Sequence, residues 1–140
     1  MSDTISKEIR SKTMRAVKSK QTKLEDSVSK ELWRRGLRFR RNVESLFGKP
    51  DISIKSKRIV IFIDSCFWHG CELHCRVPKS NTEYWNAKIN RNIKRDIFVT
   101  SHYRELSWRI LRVWEHELKD DFTKTIDRIE HFIKNKPSVF

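Results

Sequence analysis

Ten residues, Cys66-Phe67-Trp68-His69-Gly70-Cys71-Glu72-Leu73-His74-Cys75, hold all three cysteines of the chain and two of its five histidines. Thiolate and imidazole are the donors that Zn²⁺ prefers, and a closed structural site takes four of them. His116, just beyond a later apolar stretch, is a further candidate. The alternative, free thiols with surface histidines, fits poorly with three cysteines packed so closely. Six candidates exceed four places. Cys66, Cys71 and His116 are the firmest ligands. His74 and Cys75 compete for the fourth place, with His74 favoured by its spacing from Cys71. His69 is set aside, because it follows two bulky aromatics on the loop leaving an apolar strand, a position suited to catalysis at a sheet's C-terminal edge.

Two carboxylates point to harder chemistry. Pro50-Asp51 opens a short strand. An aspartate fixed there can hold Mg²⁺ through oxygen, which acidifies water and neutralises charge on a phosphate. A turn-initiating aspartate is the plainer reading of that pair alone. Asp96 stands three residues after Ile93 on a long helical stretch. It either forms a helix-surface ion pair with neighbours such as Arg95, or orients and polarises His69 as a general base.

The elements that must position these groups follow from periodicity. Thr22 with Glu25 reads as a capping box for a helix carrying Leu24, Val28 and Leu32 and stopped by Gly36. Leu37 to Val43 alternates as a strand. Asp51 to Ile54 is a short strand and Lys55 to Lys57 a polar turn. Arg58 to Asp64 is apolar on both faces and therefore central. A long helix over about 82–105 buries Trp85, Ile89, Ile93 and Ile97. Trp108 to Trp114 is a strand, and a helix over about 121–134 carries Phe122, Ile126, Ile129 and Ile133. The predicted class is α/β: one mixed sheet flanked by helices, with a structural zinc site.

The chain has 140 residues, 37% of them hydrophobic, with a net charge of +13 and a pI near 10.0. That is enough for one core, and the charge calls for a polyanionic partner. No apolar run approaches a membrane span and no signal pattern opens the chain, so nucleic acid is preferred over a membrane. Residues 1–21 form a basic arm, with Lys12 and Arg15 among its cations, expected to order on DNA; residues 22–140 form the folded domain.

Taken together, these residues resemble the very-short-patch repair endonucleases, mismatch nickases related to the PD-(D/E)xK restriction-enzyme fold. The resemblance runs through Arg10-Ser11-Lys12-Thr13-Met14-Arg15-Ala16, Gly48-Lys49-Pro50-Asp51 and Cys66-Phe67-Trp68-His69-Gly70-Cys71. It continues through Asn81, Tyr84-Trp85, Lys88-Ile89, Arg91-Asn92, Arg95-Asp96 and Trp108-Arg109, and closes on Val113-Trp114-Glu115-His116. It implies that Asp51 and the backbone carbonyl of Ile63 hold Mg²⁺, and that His69, assisted by Asp96, is the general base. The acidic-x-Lys of related restriction enzymes is replaced by Ile63-Asp64-Ser65, so Asp64 either tunes the metals or caps the strand. Glu25 matches a glutamate near the family's active site, beside its capping-box reading. Phe67, Trp68 and Trp85 match residues that wedge beside the mismatch and Met14 one entering from the opposite groove, although Trp85 also begins the core stripe.

The implied reaction is nicking of one strand 5′ to the T of a T:G mismatch, the product of 5-methylcytosine deamination, by a Mg²⁺-dependent hydrolase with structural Zn²⁺. The implied setting is a monomer in the bacterial cytoplasm, associated with the nucleoid and with mismatch-repair and polymerase partners. Two alternatives remain: a restriction-type enzyme cutting matched sites, and a zinc-dependent DNA-binding module without catalysis.

Overall fold

Five successive β-branched or aromatic residues and an aspartate make Ile59–Asp64 the most buried strand of the sheet, with every position buried. The computed structural model describes residues 22–66, 70–71 and 81–135. Helix α1 covers residues 22–34. Strands β1 (Arg40–Arg41) and β2 (Ile52–Ile54) follow, then a 3-10 turn at Lys55–Lys57 and β3 (Ile59–Asp64). Helix α2 (Thr82–Glu105), β4 (Arg109–Trp114), α3 (Glu115–Asp120) and α4 (Phe122–Lys134) complete the order.

The four strands lie in the order β1-β2-β3-β4, antiparallel except for the β3–β4 pair. A parallel pair requires a long crossover, and α2 lies within it. Alternation along β3 divides the core. Ile59, Ile61 and Ile63 pack with Val28 and Leu32 of α1 and with Ile126, Ile129 and Ile133 of α4. Val60 and Phe62 pack with Val99 and Tyr103 of α2. The mixed sheet with flanking helices expected from the pattern is therefore present, as an α/β/α layering. No helix among the described residues is long and apolar enough to cross a membrane.

Several elements differ from expectation. The strand expected over 37–43 shrinks to Arg40–Arg41. Gly36, at φ +89, ends α1: its N–H reaches the Trp33 carbonyl and the Leu37 N–H reaches the Leu32 carbonyl. Residue 37 is thus still engaged in the helix terminus, and Asn42 at φ +50 turns the chain off the sheet edge. The expected stripe on α2 also fails at one end. Trp85 and Ile89 are buried, but Ile97 is 63% exposed. Steps of four residues advance about 40° too far on a 3.6-residue helix, so three such steps carry Ile97 off the buried face. Buried Val99 and Tyr103 continue it instead. Helix α3 was not anticipated; six residues are too few to display a period. The last helix begins one residue later than expected, with the Asp121 carboxylate accepting from Lys124 N–H at 3.1 Å. Residue 22 is already helical, and the Glu25 carboxyl is hydrogen-bonded to Asp51, so Glu25 takes part in the cleft described below.

Candidate active site and metal centre

The carboxyl end of β3 opens into a cleft of ≈ 340 Å³ lined by Glu25, Lys49, Asp51, Asp64, Arg95, Asp96 and Arg112, among others. Each lining group arrives by a local rule. Ile52 pairs with Ile61 across the β2–β3 ladder, which sets Asp51 at the level of the last residues of β3. There its Oδ2 accepts from the Ile63 N–H at 2.6 Å. The preceding loop is fixed against α2. Gly48 lies at φ +75, and a Cβ on it would meet Val99 Cγ1 at 2.6 Å, so a side chain there would be both strained and obstructed. The Tyr103 hydroxyl donates to the Phe47 carbonyl beside it.

Glu25 reaches the same point from α1. Burial, then the charge of Glu25 and their shared hydrogen bond, push Asp51 up to about 8; the Ile63 N–H opposes the shift and the Asp64 charge adds to it. Two carboxyls held this closely share a proton near neutral pH unless a cation replaces it. The donor set therefore suits a divalent cation with oxygen ligands.

Arg112 organises the opposite wall. Its guanidinium lies 4.4 Å over the Phe62 ring. Nη1 donates to the two Asp64 oxygens at 2.9 and 3.2 Å, Nε to Thr100 Oγ1 at 2.8 Å, and Nη2 to the Asp96 carbonyl at 3.2 Å. Asp64 is buried and forms the acidic half of an ion pair; neither strand-capping nor metal-tuning anticipated that partner. Asp96 faces the cleft with Oδ1 3.9 Å from Arg112 Nη1. The sequence reading missed Arg112, although an arginine between Leu111 and Val113 in an apolar strand was a signal. It also missed Asn92 and Lys49 as cleft residues. Trp85, Ile89, Asn92, Asp96, Val99 and Tyr103 follow steps of four and three along one helical face. The polar pair in the middle of that apolar face marks where α2 passes the cleft.

The second site lies beside the first. Cys66 and Cys71 are buried, and their Sγ atoms are 3.4 and 3.5 Å from His116 Nδ1. The three donor atoms lie within 4.8 Å of one another. Tetrahedral zinc, with bonds of roughly 2.3 Å to sulfur and 2.0–2.1 Å to nitrogen, separates a sulfur from a nitrogen by about 3.5 Å. The three side chains thus match three corners of such a site. Cys66 N–H is anchored by Glu115 Oε1 at 2.8 Å, and Cys71 N–H returns to the Cys66 carbonyl at 3.0 Å. Gly70, at φ +64, closes that turn against α2, where a Cβ would meet Ile93 Cδ1 at 2.5 Å.

Of the predicted residues, Asp51, Glu25, Ile63, Asp64 and Asp96 come together in or beside the cleft, and Cys66, Cys71 and His116 in the donor cluster. Trp85 is fully buried at the start of α2. As placed it is a core side chain, in line with the stripe reading that stands beside its expected role as a wedge. His69, Phe67, Trp68, His74, Cys75, Met14, Lys12 and Arg15 lie outside the described residues.

Comparison with known proteins adds a second line. The family described as DNA mismatch endonuclease Vsr matches residues 2–75. The chain is 39% identical over 136 residues to the Type II nicking enzyme V.NmeDIP of Neisseria meningitidis serogroup C, covering 96% of this chain and 92% of that protein. It is 42% identical over 122 residues to the DNA mismatch endonuclease Vsr of Escherichia coli (strain K12), covering 85% and 77%. With the Type II nicking enzyme V.HpaIIP of Haemophilus parainfluenzae it shares 44% over 115 residues, covering 80% and 82%.

Proposed function

The chain belongs to the DNA mismatch endonuclease Vsr family and is a DNA endonuclease, a hydrolase of phosphodiester bonds; on that premise we propose that it nicks one strand 5′ to the T of a T:G mismatch in a Mg²⁺-dependent reaction. The observation that carries the reading is the half-buried Asp51–Glu25 carboxyl pair beside Ile63, in a cleft that also holds Lys49, Arg95 and Arg112. Carboxylates that gather beside cations at the end of parallel strands suit a phosphodiester more than a neutral substrate.

Asp51 and the Ile63 carbonyl, with Glu25 adjacent, would hold Mg²⁺, which when bound neutralises phosphate charge and makes water more acidic. The remaining tasks fall to the chain itself. Lys49 and Arg95 place positive charge where a phosphate enters. Arg112 keeps the Asp64 charge paired, so that Asp64 does not compete for the cation. His69 accepts the proton of the attacking water, and Asp96 orients it. Phe67, Trp68 and Met14 wedge beside the mispaired base, where unstacking costs least. Cys66, Cys71 and His116, with His74 or Cys75, hold a structural Zn²⁺ that ties the end of β3 to α3. Residues 1–21 act as a DNA-binding arm on a domain spanning 22–140.

The test compares labelled T:G and matched duplexes in Mg²⁺ with the full chain and its Asp51→Ala variant. The parent nicks only the T-bearing strand of the T:G duplex, and the variant still binds but nicks at least 10³-fold more slowly, the scale of a lost site for a catalytic metal. Cutting of matched duplexes would favour the restriction-type reading, and nicking by Asp51→Ala would remove the cleft from the mechanism.

A further inference from the structure

The run Trp33-Arg34-Arg35-Gly36-Leu37-Arg38-Phe39-Arg40-Arg41 carries five arginines, and the fold divides them. Arg34 and Arg35 are neutralised by Glu31, Asp127 and Glu130, which ties α1 to α4. The others face a different surface. A groove of ≈ 390 Å³ between α1 and β1 has Trp33 and Phe39 in its walls, with the rings edge to face at 5.6 Å. It adjoins, at Phe39, a second depression of ≈ 480 Å³ lined by Arg38, Arg40 and Lys55. Trp33 is 48% exposed. Lys30, Arg38, Arg40 and Lys55 are all exposed and have no acidic partner among the described residues; Arg41 is paired with Asp26.

One of these cations is held ready. The Arg38 guanidinium lies 3.9 Å over the Trp33 ring, and its Nη1 donates to the Trp33 and Leu37 carbonyls, both at 3.0 Å. Its plane is therefore fixed while Nε and Nη2 remain as donors. A guanidinium ordered in advance loses little freedom when it meets a phosphate. Charge placed on β1 only to keep an exposed sheet edge from self-pairing would need neither the stacked indole nor those carbonyl bonds.

We propose that this Trp33–Phe39 groove and its rim of Lys30, Arg38, Arg40 and Lys55 form a DNA-backbone track that holds the duplex flanking the cleft. The charge favours a polyanion, and the same chain segments build the groove and the cleft: Glu25 of the cleft precedes Asp26 of the groove, and the Asn42 N–H beside Arg41 donates to the Asp51 carbonyl. Eight residues of helix from Glu25 to Trp33 span about 12 Å, or roughly three to four base steps. The inference rests on the proposed function only for where the scissile phosphate lies.

The test is fluorescence anisotropy of T:G and matched duplexes over a KCl series, using the full chain in the non-nicking Asp51→Ala background. Adding R38Q/R40Q should lower the slope of log affinity against log salt by about 2, near 0.9 per lost phosphate contact. Affinity should fall roughly tenfold, equally for both duplexes, because backbone contacts carry no sequence information. R34Q, whose arginine is already paired, should leave the slope unchanged. If R38Q/R40Q does not fold, K30Q/K55Q reads the same track and the same slope change is expected. An unchanged slope in a folded variant, an equal loss in R34Q, or a loss confined to the T:G duplex would each overturn the proposal. The binding readout is independent of nicking, so its failure leaves the cleft assignment standing, and failure of the cleft assignment does not alter the slope.

Discussion

Asp51 is a carboxylate under unfavourable conditions: largely removed from water, facing Glu25, and eased by the Ile63 N–H. An aspartate that titrates near its ordinary 3.8 in the unfolded chain and near 8 in the metal-free fold gives a definite pH dependence. Between those values the native state binds more protons than the unfolded state, so stability falls as pH rises from about 4 to 8. The contribution is fully present below the lower value and lost through the upper one. Asp51→Asn removes that titration. In buffer without added Mg²⁺, urea denaturation should therefore show the variant more stable than the parent at pH 8, on the order of 5 kcal/mol, and the two converging towards pH 4. A parent whose stability is flat over this range would show that the carboxyl is not held as described. A Pro-Asp pair reveals none of this in the sequence, because the perturbing Glu25 is 26 positions away and arrives only through packing of α1 on the sheet. Arg112 was hidden for a related reason: its partners Asp64, Asp96 and Thr100 come from β3 and α2.

At the scale of elements, most of the sheet and helices were legible because their periods are local. β3 declared itself through continuous apolar character, and α4 through Ile126, Ile129 and Ile133. What failed was phase. Ile97 continues a step of four from Trp85 yet is exposed, and the inward face of α2 passes half-buried Asn92, Ile93 and Asp96 to buried Val99. The helix accepts polar groups in mid-face because they border the cleft rather than the core. Val99→Ala should cost about 2 kcal/mol in urea unfolding, whereas Ile97→Ala should stay within about 0.5 kcal/mol. Reversed costs would put the helix in the wrong rotation. The Cys66–Cys71–His116 donor cluster joins elements in the same way: Cys66 ends the segment after β3, Cys71 closes its turn, and His116 lies in the first turn of α3. The sequence gathered the cysteines, but only the parallel register of Asp64 with Trp114 brings His116 to them. Cys66→Ser should release about one zinc per chain by elemental analysis and lower the thermal midpoint by at least ~10 °C, since such a metal contributes directly to folding. A variant that keeps its zinc and its midpoint would remove Cys66 from the ligand set.

Over the whole molecule, the +13 charge is not spread evenly. Several acidic residues are engaged in the cleft and in ion pairs between helices, such as Arg35 with Asp127 and Glu130, and Arg128 with Glu117. Cations without acidic partners are then left to surfaces such as the β1 edge. In the first 21 residues, six basic side chains stand against two acidic ones. That segment and the folded domain should therefore separate in function. The described core closes on α1, the sheet and α4 through Val28, Leu32, Ile61 and Ile129, and none of these contacts requires residues before 22. Deleting residues 1–18 removes five cations, Lys7, Arg10, Lys12, Arg15 and Lys18. The thermal midpoint should shift by no more than a few degrees if this basic segment acts as an arm and not as part of the core. Duplex affinity should fall at least tenfold near 0.15 M salt, and the salt slope should shrink by up to about 4, for as many as five lost phosphate contacts. If Met14 enters the mismatch, the loss should be larger for T:G than for matched duplexes, which separates a wedge from mere charge. Unchanged affinity would assign all DNA binding to the folded domain, and a collapsed midpoint would make the segment part of the fold.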